Sequence, residues 1–126
     1  MSYPPPAGVP RLRDVLAGYL RRKRGALLPP GQLVVTAGST QAVSAVARVL
    51  LQAGHRRLAV EDPTDVRERQ ILQAVGLEVV PVPVDRDGLD IERLARSGTR
   101  AVLLAPTHHF PTGAVLSARR RVQLAD

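Results

Sequence analysis

The stretch Arg57-Leu58-Ala59-Val60-Glu61-Asp62 decides how the rest of the chain is read. Its centre is a short, unbroken apolar run, the pattern of a strand buried on both faces of a parallel sheet, and it ends in two carboxylates. Upstream, Gln41 to Gln52 is rich in Ala, Val and Leu and reads as a buried helix closed by Gly54. Downstream, Asp65 to Val75 reads as a second helix, ended by Gly76. Leu33-Val34-Val35-Thr36 reads as an earlier buried strand, joined to Gln41–Gln52 by the small-residue turn Ala37-Gly38-Ser39-Thr40. Leu77 to Val84 reads as a third strand, with Pro81 and Pro83 marking an edge or an irregular end. Asp85-Arg86-Asp87-Gly88 is a turn, Ile91 to Arg96 a short helix and Arg100 to Leu104 a fourth strand. A last helix starts near Ser117, a residue suited to capping it.

At the front, residues 1–10 hold four prolines and predict an extended arm. Leu12, Val15, Leu16, Tyr19 and Leu20 then recur at helical spacing, which predicts an amphipathic front helix over 11–25, with Gly25 at its end. Strands alternating with helices imply an α/β fold: a mostly parallel sheet flanked by helices, in a single domain over residues 1–126. The final segment, Gln123-Leu124-Ala125-Asp126, carries no Gly, Asn or Pro stop signal, so a sequence cut inside an element is expected.

Composition narrows the function. The chain has 126 residues, 44% apolar and 23% charged, which is globular rather than disordered. No cysteine is present, which excludes disulfides, a thiolate nucleophile and Cys-ligated zinc. No secretory signal or membrane-length apolar run occurs, so a cytoplasmic location is expected and no membrane partner. The net charge is +7, and Lys23 is the only lysine among 18 basic residues. Arg21-Arg22-Lys23-Arg24 and Arg119-Arg120-Arg121 are the two basic runs. Non-specific nucleic-acid binding is one reading of them; solvated helix faces are the simpler one, since no aromatics interleave for base stacking.

Ligands in open parallel sheets bind outside the carboxyl ends of the strands. Three such ends carry polar or small residues: Gly38-Ser39-Thr40, Glu61-Asp62-Pro63, and Pro106 to Gly113. The first opens a helix, so its free N–H groups, hydroxyls and the helix dipole suit a phosphate; an ordinary N-cap is the alternative. Neither a P-loop nor a dinucleotide fingerprint is present. Glu61-Asp62 reads as magnesium ligation or as loop hydrogen bonding, and the missing P-loop favours the latter. His108-His109 invites zinc, but neighbours on extended chain point to opposite sides, which favours a hydrogen-bonding role and no metal.

These segments form a series. Tyr3…Gly8-Val9-Pro10-Arg11-Leu12-Arg13 is followed by Tyr19-Leu20…Arg24-Gly25 and Val35-Thr36-Ala37-Gly38-Ser39-Thr40-Gln41-Ala42. Then come Glu61-Asp62-Pro63-Thr64, Val82-Pro83-Val84-Asp85…Asp87-Gly88, Pro106 to Gly113, and Arg119-Arg120. In order and spacing this resembles the class I/II aminotransferases of fold type I, and in particular the aminotransferase-like effector domain of GntR-type bacterial regulators, the MocR subfamily. The resemblance runs through nearly the whole chain. It implies a pyridoxal 5′-phosphate site in which Gly38, Ser39 and Thr40 receive the phosphate. It also implies that Pro111-Thr112-Gly113 brings a polar side chain towards the cofactor's phenolic oxygen, with His109 where the family usually has Gln. Asp65 holds the position where the family usually stacks a Tyr on the pyridine ring, and an aspartate cannot stack.

By the same resemblance, the Schiff-base lysine and the acid that holds the pyridine nitrogen lie further along than Asp126, and Lys23 does not match that lysine. The expectation is therefore the front part of a cofactor-binding domain, not catalytic by itself, from a MocR-type regulator or a transaminase. A homodimer and an amino-acid-like small molecule are the implied partners, with DNA contacted only through a separate domain. A non-catalytic association module is the alternative.

Overall fold

The computed structural model describes residues 5–125, which divide into two compact units, one up to Ala42 and one from Val43. In the first unit, the Gly8 N–H donates to Pro5 O at 2.9 Å, so the expected extended arm is a turn over Pro5–Gly8. The remainder of that arm, residues 1–4, lies outside the described residues. Helix α1 (Pro10–Arg24) begins with a proline, whose missing N–H costs nothing at a first helical position. It ends at Gly25, whose N–H donates to Arg21 O, and its last turn collects Arg21, Arg22, Lys23 and Arg24 at the negative end of the dipole. The Arg13 guanidinium donates twice to Pro30 O, at 3.0 and 2.6 Å, and ties α1 to the 3₁₀ turn Pro30–Gln32.

Leu33-Val34-Val35-Thr36 is not a strand, contrary to the reading of its apolar run. Val34 is 65% exposed, and among the described residues the segment's backbone bonds are Leu33 N–H to Pro30 O at 3.1 Å and Val35 N–H to Ala7 O at 3.0 Å. Apolar β-branched residues favour extended backbone, but a strand exists only where a neighbour offers a full ladder. Helix α2 (Ser39–Gln52) follows, begins in the first unit and continues into the second.

The second unit is built around β1 (Arg57–Asp62). It pairs in parallel with β2 (Glu78–Asp85), in register from Arg57 against Glu78 to Asp62 against Pro83. On its other side it pairs in parallel with β4 (Val102–Leu103), where only two residues of the expected five join the ladder. A two-residue hairpin loop, Arg86-Asp87, turns β2 back into β3 (Gly88–Leu89), an antiparallel strand that the turn reading had not separated. The order β3-β2-β1-β4 is thus mostly parallel, with one antiparallel edge. Along β2, Glu78 N–H donates to Arg56 O, so the alternate residues Pro81 and Pro83 turn their missing donors away from β1. That parity lets two prolines sit in a paired strand.

Successive residues of β1 face opposite sides. Leu58 and Val60 pack with Ala47 of α2, Leu72 of α3 (Val66–Val75) and Leu77, the residue before β2. Ala59 packs on the other side with Val82, Leu89 and Leu116. Helix α3 is capped by Asp65 and α4 (Ile91–Arg96) by Asp90, each carboxylate accepting a first-turn N–H. Helix α5 (Ala118–Ala125) starts after Ser117, whose Oγ accepts from Arg120 N at 3.4 Å. Among the described residues no helix is long and apolar enough to cross a membrane.

Two expectations follow from the β2–β3 hairpin. Gly88 has φ +91° and sits against Leu116 so closely that an added Cβ would lie 2.7 Å from Leu116 Cα. Gly88→Ala should destabilise the fold by about 2–3 kcal/mol in urea unfolding, whereas Gly98→Ala, with open space around it, should cost about 1 kcal/mol. The second concerns Asp85, which accepts from Arg120 Nη1 and Nη2 at 2.6 and 2.7 Å. The guanidinium holds the Asp85 carboxyl below the usual range. A depressed folded-state pKa contributes stability above the unfolded value and loses it as pH falls through the folded value. Thermal unfolding midpoints should therefore drop as pH falls below the ordinary carboxylate range, and Asp85→Asn should flatten that drop.

Candidate functional site

The carboxyl ends of β1 and β4 open on a cleft of about 170 Å³, walled by Glu61, Thr64, Asp65, Glu68, Leu103, Leu104, Ala105, His109 and Phe110. Glu61 continues the buried run of β1 and is itself only 4% exposed. Its Oε2 accepts the Ala105 N–H at 2.6 Å and stands 3.5 Å from His109 Nε2. His109 is 3% exposed; its Nδ1 is hydrogen-bonded to Thr112 Oγ1 at 2.7 Å, and Nε2 has no hydrogen-bond partner. The loop closes on itself through His109 N–H to Ala114 O and Gly113 N–H to His109 O. His109 is thus a wall of the cleft, held between Glu61 and Thr112. The adjacent His108 is exposed with φ 59°, and among the described residues no three potential ligands gather for a metal.

Asp65 lines the same cleft and caps α3. It accepts the Arg67 N–H at 2.9 Å, and that bond, reinforced by the Arg67 guanidinium, holds its carboxyl below the ordinary value. A capped carboxylate is anchored and charged, the opposite of a flat apolar ring. Glu68 accepts from Thr64 Oγ1 at 3.0 Å, and Asp62 pairs with Arg69. Asp65 and His109 therefore come together in one cleft, and the structure adds Glu61 and Thr112 to them. The sequence carried a signal for Glu61, a carboxylate closing a buried strand; Thr112 gave none beyond its place in Pro111-Thr112-Gly113.

Gly38, Ser39 and Thr40 belong to the first unit. Gly38 has φ +133°, a conformation that favours glycine, and its carbonyl accepts the Ala42 N–H and so starts α2. Ser39 and Thr40 are exposed in the first turn, where helix geometry leaves the N–H groups without intrahelical acceptors. Gln41 Oε1 reaches back to the Ala37 N–H at 2.6 Å, and Thr36 Oγ1 donates to Gly38 O, so the turn is fixed from both sides. The positive end of the α2 dipole lies at this turn.

Eight of the 17 arginines are engaged within the fold. Arg57, Arg67, Arg69, Arg93, Arg96 and Arg120 pair with carboxylates, while Arg13 and Arg121 donate to backbone carbonyls.

Comparison with known proteins agrees with this architecture. The family profile Aminotransferase class I and II matches residues 1–126. The HTH-type pyridoxine biosynthesis transcriptional regulator PdxR of Corynebacterium glutamicum is 36% identical over 98% of this chain and 26% of its own length. The probable N-succinyldiaminopimelate aminotransferase DapC of Mycobacterium tuberculosis is 35% identical over 99% of this chain and 33% of its own. Among solved structures, a double mutant of Thermus thermophilus aspartate aminotransferase superposes with a TM-score of 0.86 at 31% identity, covering 98% of this chain and 34% of that one. The chain spans about a quarter to a third of the length of these relatives. With the profile matched from end to end and the fold shared, the chain belongs to the class I and II aminotransferase family.

Proposed function

We propose that this chain contributes the phosphate-binding part of a pyridoxal 5′-phosphate site in an aminotransferase-like protein. The carrying observation is the start of α2, where Gly38 and the exposed residues Ser39 and Thr40 stand at a first turn whose N–H groups have no intrahelical acceptors. Pyridoxal phosphate is the cofactor used in this family, and its phosphate fits such a turn. When bound, the cofactor supplies an electron sink for amino-group chemistry. The residues of this chain would bind and orient it.

The ring end fits less well. Asp65, in the position that the family uses for stacking, presents an anchored carboxylate, and the His109 ring is hydrogen-bonded to Thr112 beside Glu61. Ring contacts from these two residues would add little affinity, so binding should rest on the phosphate. Lys23 stands exposed in the last turn of α1 and supplies no site amine. A whole protein of the MocR regulator kind, working as a cytoplasmic homodimer with an amino-acid-like ligand and a separate DNA-binding domain, is the reading this supports. A transaminase is the other form such a domain takes.

Titration of the purified chain with pyridoxal phosphate, followed by absorbance and borohydride trapping, tests the reading. Binding should be weak and competed by inorganic phosphate. The double variant Ser39→Ala with Thr40→Ala should weaken both ligands by about tenfold or more, while Lys23→Ala leaves them unchanged. A stoichiometric trapped adduct at Lys23, or turnover by the chain alone, would overturn it.

A further inference from the structure

We propose that Arg121 is the positioning residue of the cleft-forming loop, a staple across the neck of residues 106–116. Three acceptors converge on this one guanidinium. Its Nε donates to Leu116 O at 2.9 Å, and its Nη2 donates to Pro106 O at 2.7 Å and to Thr107 Oγ1 at 3.2 Å. Pro106 O and Leu116 O belong to the two ends of the loop, which a backbone bond from Leu116 N–H to Pro106 O also joins. Between those ends sit His109 and Phe110, two walls of the cleft. Leu116 is buried against Ala59, Val82 and Leu89, so the stapled neck is fastened to the central sheet.

The neighbouring cation does a different task. Arg120 donates to Asp85 and to Gly88 O, which fastens α5 to the β2–β3 hairpin. Consecutive helical residues point about 100° apart, so one turn of α5 secures the hairpin with one arginine and the site loop with the next. A lysine at residue 121 would keep the charge, but its single ammonium lacks the planar fork that reaches several fixed acceptors at once. Holding the neck removes loop-opening freedom and keeps His109 between Thr112 and Glu61. The consequence for ligand binding rests on the cofactor reading above; the staple itself does not.

Hydrogen–deuterium exchange and His109 imidazole NMR on the full chain test the assignment. Arg121→Ala should speed exchange at the amides of His109, Gly113, Ala114 and Leu116 by about 10- to 100-fold and shift the His109 ring signals. The Ala59 amide, bonded to Ala101 O within the sheet, should keep its protection. Arg121→Lys should retain most of the loop acceleration, and Arg119→Ala should cause none. Unchanged loop protection, equal acceleration at Ala59, or full restoration by lysine would overturn the staple; should Arg121→Ala fail to fold, Arg121→Lys decides. If the unaltered chain binds no pyridoxal phosphate while the loop still loosens in the variant, the cofactor reading falls and the staple stands.

Discussion

A carboxylate buried at the end of the central strand must find donors, and the ordering around the cleft follows from that requirement. Glu61 continues the inward run of β1, so its side chain cannot reach bulk water for solvation. It takes the Ala105 N–H just beyond β4, which fixes where the fourth strand ends. It also faces His109, whose other ring nitrogen is bound by Thr112. Through these few contacts the buried carboxyl group connects β1, the end of β4 and the loop beyond.

The basic composition has a structural counterpart in the same economy of partners. Arginines secure the hairpin, the cleft loop, the first turn of α3 and the link between α1 and the 3₁₀ turn, mostly through backbone carbonyls or exposed carboxylates. Exposed pairs of this kind contribute little individually, but a forked donor that meets two or three acceptors specifies geometry as well as energy. An aliphatic core with few aromatic rings gains from such external fastening.

The start of α2 and the start of α3 differ in kind. The start of α2 presents first-turn N–H groups beside two exposed hydroxyls. Asp65 serves the fold, capping α3 where an aromatic ring would serve a cofactor. At that position the side chain serves the helix start.

What the sequence determined by itself was local. The strand Arg57–Asp62 and the helix Ile91–Arg96 emerge with the boundaries read from their patterns, and Asp65, Gly25 and Ser117 stand at the helix ends where they were expected. Periodicity, capping chemistry and glycine stops act within a few residues, so a linear string carries them. The motif series, in register along the chain, carried the family as well. Only the tertiary structure decided the rest. Leu33–Thr36 has strand composition but joins no ladder among the described residues, and Gly88–Leu89 is a strand because Val84 and Asp85 lie opposite. Arg120 meets Asp85 across 35 positions, and Glu61 meets Ala105 across 44. Ladder pairing and buried-charge compensation depend on which distant segments arrive side by side, and residue spacing along the chain does not encode that directly.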